Sequence, residues 1–208
     1  MLHLTFVRSG APGAFALGWN CRTVHQVRMR IVVVGTSGAG KTTMARAIAT
    51  ALELPCIELD RLNWNPNWQA LSQTDPNEFI RRVTEAITAN AWVSDGHYGL
   101  VRDLLWRRAT HLIWLDYGRG LIMCRVIRRS IARALDQSEL WPGTGNREEW
   151  RRWLRPSHPI RWAWRTWRER RARFEELLSR PQYGHLAVLR LRAPRDPMRV
   201  LRELKVPT

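Results

Sequence analysis

The chain has 208 residues, 45% of them hydrophobic, and a formal charge of +16; that length is enough for one domain with a substantial core. Its three cysteines, Cys21, Cys56 and Cys124, lie in unrelated settings without CxxC spacing. They exclude a disulfide framework or a zinc site and suit reduced thiols in a cytoplasmic protein. No run approaches the roughly 18 apolar residues of a membrane span, so a soluble protein is expected.

Residues 1–28 contain Gly10, Pro12, Gly13 and Gly18 and keep no helix or strand period. A disordered tail is expected there, with Met29 standing just before the first strand. The same glycines and proline interrupt the apolar region that a secretory signal requires.

Arg30 to Val34 is a short β-branched run that reads as a buried parallel strand. It leads into Gly35, Thr36, Ser37, Gly38, Ala39, Gly40, Lys41 and Thr42, the full GxxxxGK[ST] pattern, with Thr43 beside it. Lys41 is one of two lysines in a chain with 32 arginines, and a chance match to this pattern is on the order of one in a thousand. Apolar residues at helical spacing then run from Thr42 to Leu52. Strand, glycine-rich loop and helix stand in the order that makes a nest of backbone N–H groups for phosphate oxygens. Lys41 is placed to reach the β- and γ-phosphates of ATP, and the Thr42 hydroxyl to ligate Mg²⁺.

Further along, Pro55 to Asp60 reads as a strand ending in an acid, followed by a loop with Trp64, Pro66 and Trp68. Asp75, Pro76 and Glu78 form a helix start with a capping box, and the helix runs to about Ala89, burying Phe79, Val83 and Ile87. Trp92 to Asp95 and His111 to Asp116 are strands, with a short helix from Asp103 to Arg107 between them and a helix from Gly120 to about Ala134 after them. Residues 136–159 are irregular and rich in glycine and proline, with helical potential at Glu148 to Leu154. A helix from Ile160 to Ser179, a strand from His185 to Leu191 and a short helix from near Pro197 close the chain. Strands alternating with helices imply a parallel sheet covered on both faces.

Three strands end in aspartate, at Asp60, Asp95 and Asp116, and strand carboxyl ends form the ligand crevice of such sheets. One such acid can hold Mg²⁺ through water while another orients or deprotonates a substrate hydroxyl. Arg125, Arg129 and Arg133, spaced by four with Arg128 adjacent, form a stripe fit to clamp phosphates, or else a solvated face opposite Met123, Ile127, Ile131 and Leu135. On the Ile160 helix, Arg171 shares an apolar stripe with Ile160, Trp164, Trp167, Phe174 and Leu178. It therefore needs a partner, a phosphate or a route to solvent. Trp68 reads as a loop pin and Trp64 as a candidate substrate wall.

The run from Ile31 to Lys41, Asp60 followed by Trp64, Asp95-Gly96-His97-Tyr98 and the Arg125/Arg128/Arg129 group together resemble the adenylate-kinase-like P-loop kinases. Within them the chain is most similar to the DNA topology modulation, or FlaR-related, proteins. The resemblance covers residues 30–192. It implies a three-layer α/β fold with a five-stranded parallel sheet, helices on both faces, a helical lid at about 136–159, and phosphoryl transfer from ATP. It further implies Mg²⁺ held with the help of Asp95, phosphates contacted by Arg125, Arg129 and Arg147, and an acceptor bound by Asp60, as in small-molecule kinases such as shikimate kinase. Where adenylate kinase continues Phe-Pro-Arg, this chain has His97-Tyr98, so an AMP-binding arginine is missing there.

The expectation is an ATP-dependent kinase acting on a small acceptor: a nucleotide, a nucleoside or another hydroxylated metabolite. The alternative is an ATP-binding, DNA-associated protein, supported by the basic charge. Arginines spread through every segment read first as solvated surface, and no helicase motif set or DNA-binding module accompanies them.

Overall fold

A computed structural model describes residues 29–155 and 158–204, and the tail expected over residues 1–28 lies outside them. Strand β1 (Arg30–Gly35) is the central strand of a five-stranded sheet. It pairs in parallel with β5 (Trp92–Asp95) on one side and with β6 (His111–Leu115) on the other. Beyond these, β2 (Cys56–Glu58) pairs with β5 and β7 (Ala187–Leu191) with β6, both in parallel.

Side-chain alternation along the strands divides the core in two. Ile31, Val33, Val93, Ile113 and Leu115 face one layer with helix α1 (Lys41–Ala51), α6 (Arg119–Asp136) and α8 (Pro197–Glu203). Val32, Val34, Trp92, Leu112 and Trp114 face the other, with α4 (Pro76–Ala86) and α5 (Arg102–Arg108). Helix α7 (Pro159–Leu178) contributes Ala163 to the first cluster and Phe174 and Leu177 to the second, so it reaches from one layer to the other. This is the three-layer fold of P-loop NTPases, with the phosphate loop at the carboxyl end of the central strand.

Several elements differ from the sequence reading. The strand expected to end at Asp60 stops at Glu58, and Asp60 lies in the first turn of a short helix, α2 (Leu59–Asn63). The tryptophan loop is a two-stranded hairpin, β3 (Trp64–Asn65) and β4 (Gln69–Ala70), followed by α3 (Leu71–Thr74). The capping box at α4 is half formed. Asp75 accepts from the Glu78 N–H, but Glu78 spends its carboxylate on Arg81 and Arg82 instead of reaching back.

The buried face of α6 differs from the apolar stripe of the sequence, whereas on α7 Ile160, Trp167, Phe174 and Leu178 pack into the core as expected and Trp164 does not. Helix α6 buries Ile122, Val126, Ser130 and Ala134, leaving Leu121, Ile127, Ile131 and Leu135 exposed. The phosphate loop packs closely on that seam at Ile122 and Val126. Gly38 sits at φ +86 against Val126, where an added Cβ would also meet the Ile122 carbonyl at 3.1 Å. On α7, Trp164 is 57% exposed and lies under the Arg119 guanidinium, 3.4 Å from its ring centroid. The cation covers an indole that the helix does not bury.

Within 136–159, residues 156 and 157 lie outside the described set. The expected helix is a 3₁₀ turn at Trp150–Leu154. The rest is a loop held by an isolated antiparallel bridge between Glu139 and Arg147, with Glu139 accepting from the Gly145 N–H.

Candidate active site

The phosphate loop is shaped by glycine. Gly38 and Gly40 have φ +86 and +90, left-handed values that a side chain disfavours. The Ala39 N–H closes a turn on the Thr36 carbonyl at 3.1 Å. Gly40 caps α1, so the first N–H groups of that helix open toward the loop. Lys41 Nζ donates to the Thr36 carbonyl at 3.3 Å. Burial lowers its pKa to about 8, against the opposing pull of Asp60 and with help from nearby Arg170.

Ser37, Gly38, Gly40, Lys41, Thr42 and Thr43 line a cavity of about 1380 Å³. Gly35, Thr36 and Ala39 are buried behind this rim and shape it. Asp60, Asp95, Arg125, Arg129 and Arg133 line the same cavity, so most of the candidate residues named from the sequence converge. Two do not. Arg147, whose backbone bridges to Glu139, is exposed and does not line the cavity. Asp116 turns away from the crevice: Arg190 of β7 and Arg171 of α7 both pair with its Oδ2, at 2.7 Å and 3.2 Å. Arg171 thereby finds the partner its place on the helix demanded.

The Thr42 hydroxyl donates to Asp95 Oδ2. Burial raises the pKa of the Asp95 carboxyl, while the Thr42 bond and Lys41 oppose that rise. A hydroxyl and a buried carboxylate in direct contact are the hard oxygen donors Mg²⁺ takes, and such sites use few protein ligands beside phosphate oxygens. The pair fits Mg²⁺.

Asp60 receives the Tyr98 hydroxyl on Oδ1 at 2.5 Å. Burial and the Asp60 charge push the phenol pKa upward, so Tyr98 stays a proton donor. Asp60 also lines the cavity, where its carboxylate can meet a substrate. His97 is driven down to about 3 by burial and by Arg170 and Arg102, and is neutral.

The arginine wall is the strongest electrostatic feature. Arg125 donates to the Ala39 carbonyl and Arg129 to Ser37 Oγ, each at 3.2 Å, which ties α6 to the phosphate loop. Burial followed by repulsion from Arg133 lowers Arg129 to about 10; Arg133 and Arg170 are lowered by burial as well. The Nε atoms of Arg129 and Arg170 have no hydrogen-bond partner among the described residues. Crowded, desolvated guanidiniums of this kind are paid for by a polyanion.

Arg170 escaped the sequence reading. It stands three residues after Trp167 and four before Phe174, on the stripe of Ala163, Phe174 and Leu177 that α7 actually buries. That phase of the helix would have found it.

The remaining wall is aromatic. Trp64 and Trp141 stack with ring centroids 5.5 Å apart, and Trp68 meets both edge-on. All three line the cavity. Trp68 does act as a pin, in a left-handed conformation at φ 59 after Asn67 at φ 57, a strain on the order of 1 kcal/mol for each residue.

A family model for the AAA ATPases, the ATPase family associated with various cellular activities, matches residues 31–91, a minority of the chain. No curated protein matches it. Similar solved structures include a gluconokinase from Sinorhizobium meliloti 1021, at 18% identity over 85% of this chain and 89% of that one, with a TM-score of 0.45. A shikimate kinase from Bacteroides thetaiotaomicron is 19% identical over 86% of this chain and 99% of that one, with a TM-score of 0.45. A sugar kinase from Janibacter sp. HTCC2649 is 18% identical over 86% and 95%, with a TM-score of 0.49. None of these likenesses assigns an activity or a residue to this chain.

Proposed function

We propose that the chain is an ATP-dependent phosphotransferase acting in the cytoplasm on a small hydroxylated acceptor. We place it with the adenylate-kinase-like kinases, nearest the FlaR-related set. The observation that carries this reading is convergence: phosphate loop, Thr42 with Asp95, Asp60 with Tyr98, and a wall of unneutralised arginines all face one cavity. ATP lies with its phosphates on the loop and under Lys41, Arg125 and Arg129. Thr42 and Asp95 hold Mg²⁺, which supplies positive charge to the phosphate oxygens when bound.

The acceptor hydroxyl sits on the Asp60 carboxylate. As its oxygen bonds to the γ-phosphorus, the bond from that phosphorus to the β–γ bridging oxygen breaks, ADP leaves and the hydroxyl proton passes to Asp60. Arg129, Arg133 and Arg170 meet the charge spread over the transferring group. Loop 136–159 covers the cavity with Leu140, Trp141, Glu148 and His158 and excludes water, the competing acceptor. Its own arginine there is Arg155, which lines the cavity where Arg147 does not.

The test is ADP release in the presence of nucleoside monophosphates, nucleosides, sugars and cyclic alcohols, with Lys41→Met as control. If no acceptor raises turnover above the water rate, this reading fails. Retention on duplex DNA that falls steeply with salt would favour the DNA-associated alternative instead.

A further inference from the structure

The tryptophan wall is assembled from two segments far apart in sequence, and one buried side chain joins them. Asn146, 2% exposed, accepts from the Trp68 N–H through Oδ1 at 2.9 Å and donates through Nδ2 to the Asn65 carbonyl, also at 2.9 Å. Both bonds go to the backbone of the β3–β4 hairpin, one on each strand side of its turn. The same loop delivers Trp141 onto Trp64 and Trp68. Its far end is anchored by a buried pair, His158 Nε2 to Glu148 Oε1 at 2.7 Å, and by Gln137 donating to the Glu148 carbonyl at 3.2 Å.

The position of this wall gives it a chemistry. Trp64 closes α2 with its N–H on the Asp60 carbonyl, and both side chains line the same cavity. Trp141 stacks on Trp64 and Trp68 meets it edge-on, and Trp64 still lines the cavity. Among the lining residues close in sequence to the wall, Glu58, Asp60, Gln73, Glu148 and Glu149 suit hydroxyl groups, and Arg155 is the one arginine from the same loop; the others come from α1, α6 and α7. An apolar ring face on indole, with ring hydroxyls on carboxylates and an amide, is the combination these groups satisfy.

We propose that Asn146 is a positioning residue that clasps the hairpin to loop 136–159 and so builds the acceptor wall, and that the acceptor this wall takes is a hydroxylated ring compound lying on Trp64 with one hydroxyl on Asp60. The role of Asp60 rests on the phosphotransferase reading; the ring site does not. The left-handed Asn67 and Trp68 are held by the clasp, because the Trp68 N–H that this conformation presents is the group Asn146 receives.

The experiment offers hexopyranoses and cyclitols, with open-chain hexitols and nucleoside monophosphates as comparisons. Each is followed by equilibrium dialysis without ATP and by ADP release with Mg²⁺ and ATP. A ring compound should bind and raise ADP release while its open-chain counterpart does neither. Asn146→Ala should raise the half-saturating concentration of that ring compound about 10-fold and leave that of ATP within about twofold, a split that general unfolding would not produce. Asn146→Asp, which keeps an acceptor for the Trp68 N–H, should fall between, and it carries the comparison if the alanine variant does not fold. Trp64→Ala should weaken the ring compound about 10-fold and Trp64→Phe much less.

Equal use of hexitols, or equal shifts for ATP and acceptor in Asn146→Ala, overturns the inference. A ring compound that binds without releasing ADP supports the wall and removes the phosphotransferase reading. Turnover of nucleoside monophosphates with no ring polyol bound does the reverse.

Discussion

The two sides of the cavity are built by different means. The donor side is backbone: N–H groups of a glycine loop and a helix end, held against the central strand. The acceptor side is side chain: a carboxylate on a short helix, three indoles and one asparagine, drawn from segments that meet only in the folded molecule. Backbone geometry within one loop can be written into a short motif. A wall made by long-range packing cannot, and it is the side free to vary with the acceptor.

That contrast can be broken experimentally, beginning with the donor side. Lys41→Met should cut kcat/KM for ADP release about 10³-fold with melting temperature little changed; retained turnover would mean that the loop does not hold the transferred phosphate. Asp60→Asn should lower transfer about 10²-fold or more while Mg²⁺-ATP binding stays near normal by calorimetry. Unchanged transfer would remove Asp60 from its role.

Asp116→Ala sets a structural acid beside these two. It leaves Arg171 and Arg190 with Glu175 as their carboxylate partner and should cost about 1 kcal/mol or more in urea unfolding, a value discounted because both guanidiniums are partly exposed. Turnover per folded molecule should hold; a loss matching that of Asp60→Asn would return Asp116 to the site. The smallest effect is expected from Glu148→Gln. The amide still reaches His158, so stability should fall by less than about 1 kcal/mol. Destabilisation as large as that of Asp116→Ala would make the lid anchor as firm as the sheet, and the contrast between the two sides would disappear.

Three acids at apparent strand ends looked alike in the sequence, and the fold gave each a different fate. Asp95 ends β5 beside Thr42, as its position implied. Asp60 reached the cavity from a helix rather than a strand. Asp116 left it because β7 docks beside β6 and brings Arg190. No local pattern carries that last event, since it depends on which strand becomes the neighbour. The α6 face departed for a related reason. Apolar residues on α6 are common enough to suggest several seams, and the close approach of Gly38 lies on the one that carries Ile122 and Val126.

By itself the sequence determined the phosphate loop, the alternation of strands and helices, and a parallel sheet with that loop at the carboxyl end of its first strand. Those features follow from backbone conformation and side-chain periodicity over a few residues. Only the tertiary structure decided that Arg170 and not Arg147 faces the cavity, that Asp116 is an ion-pair partner, and that Asn146 joins loop to hairpin. Each of those depends on contacts between distant segments, whose direction is set by packing and by the need of buried polar groups to find partners.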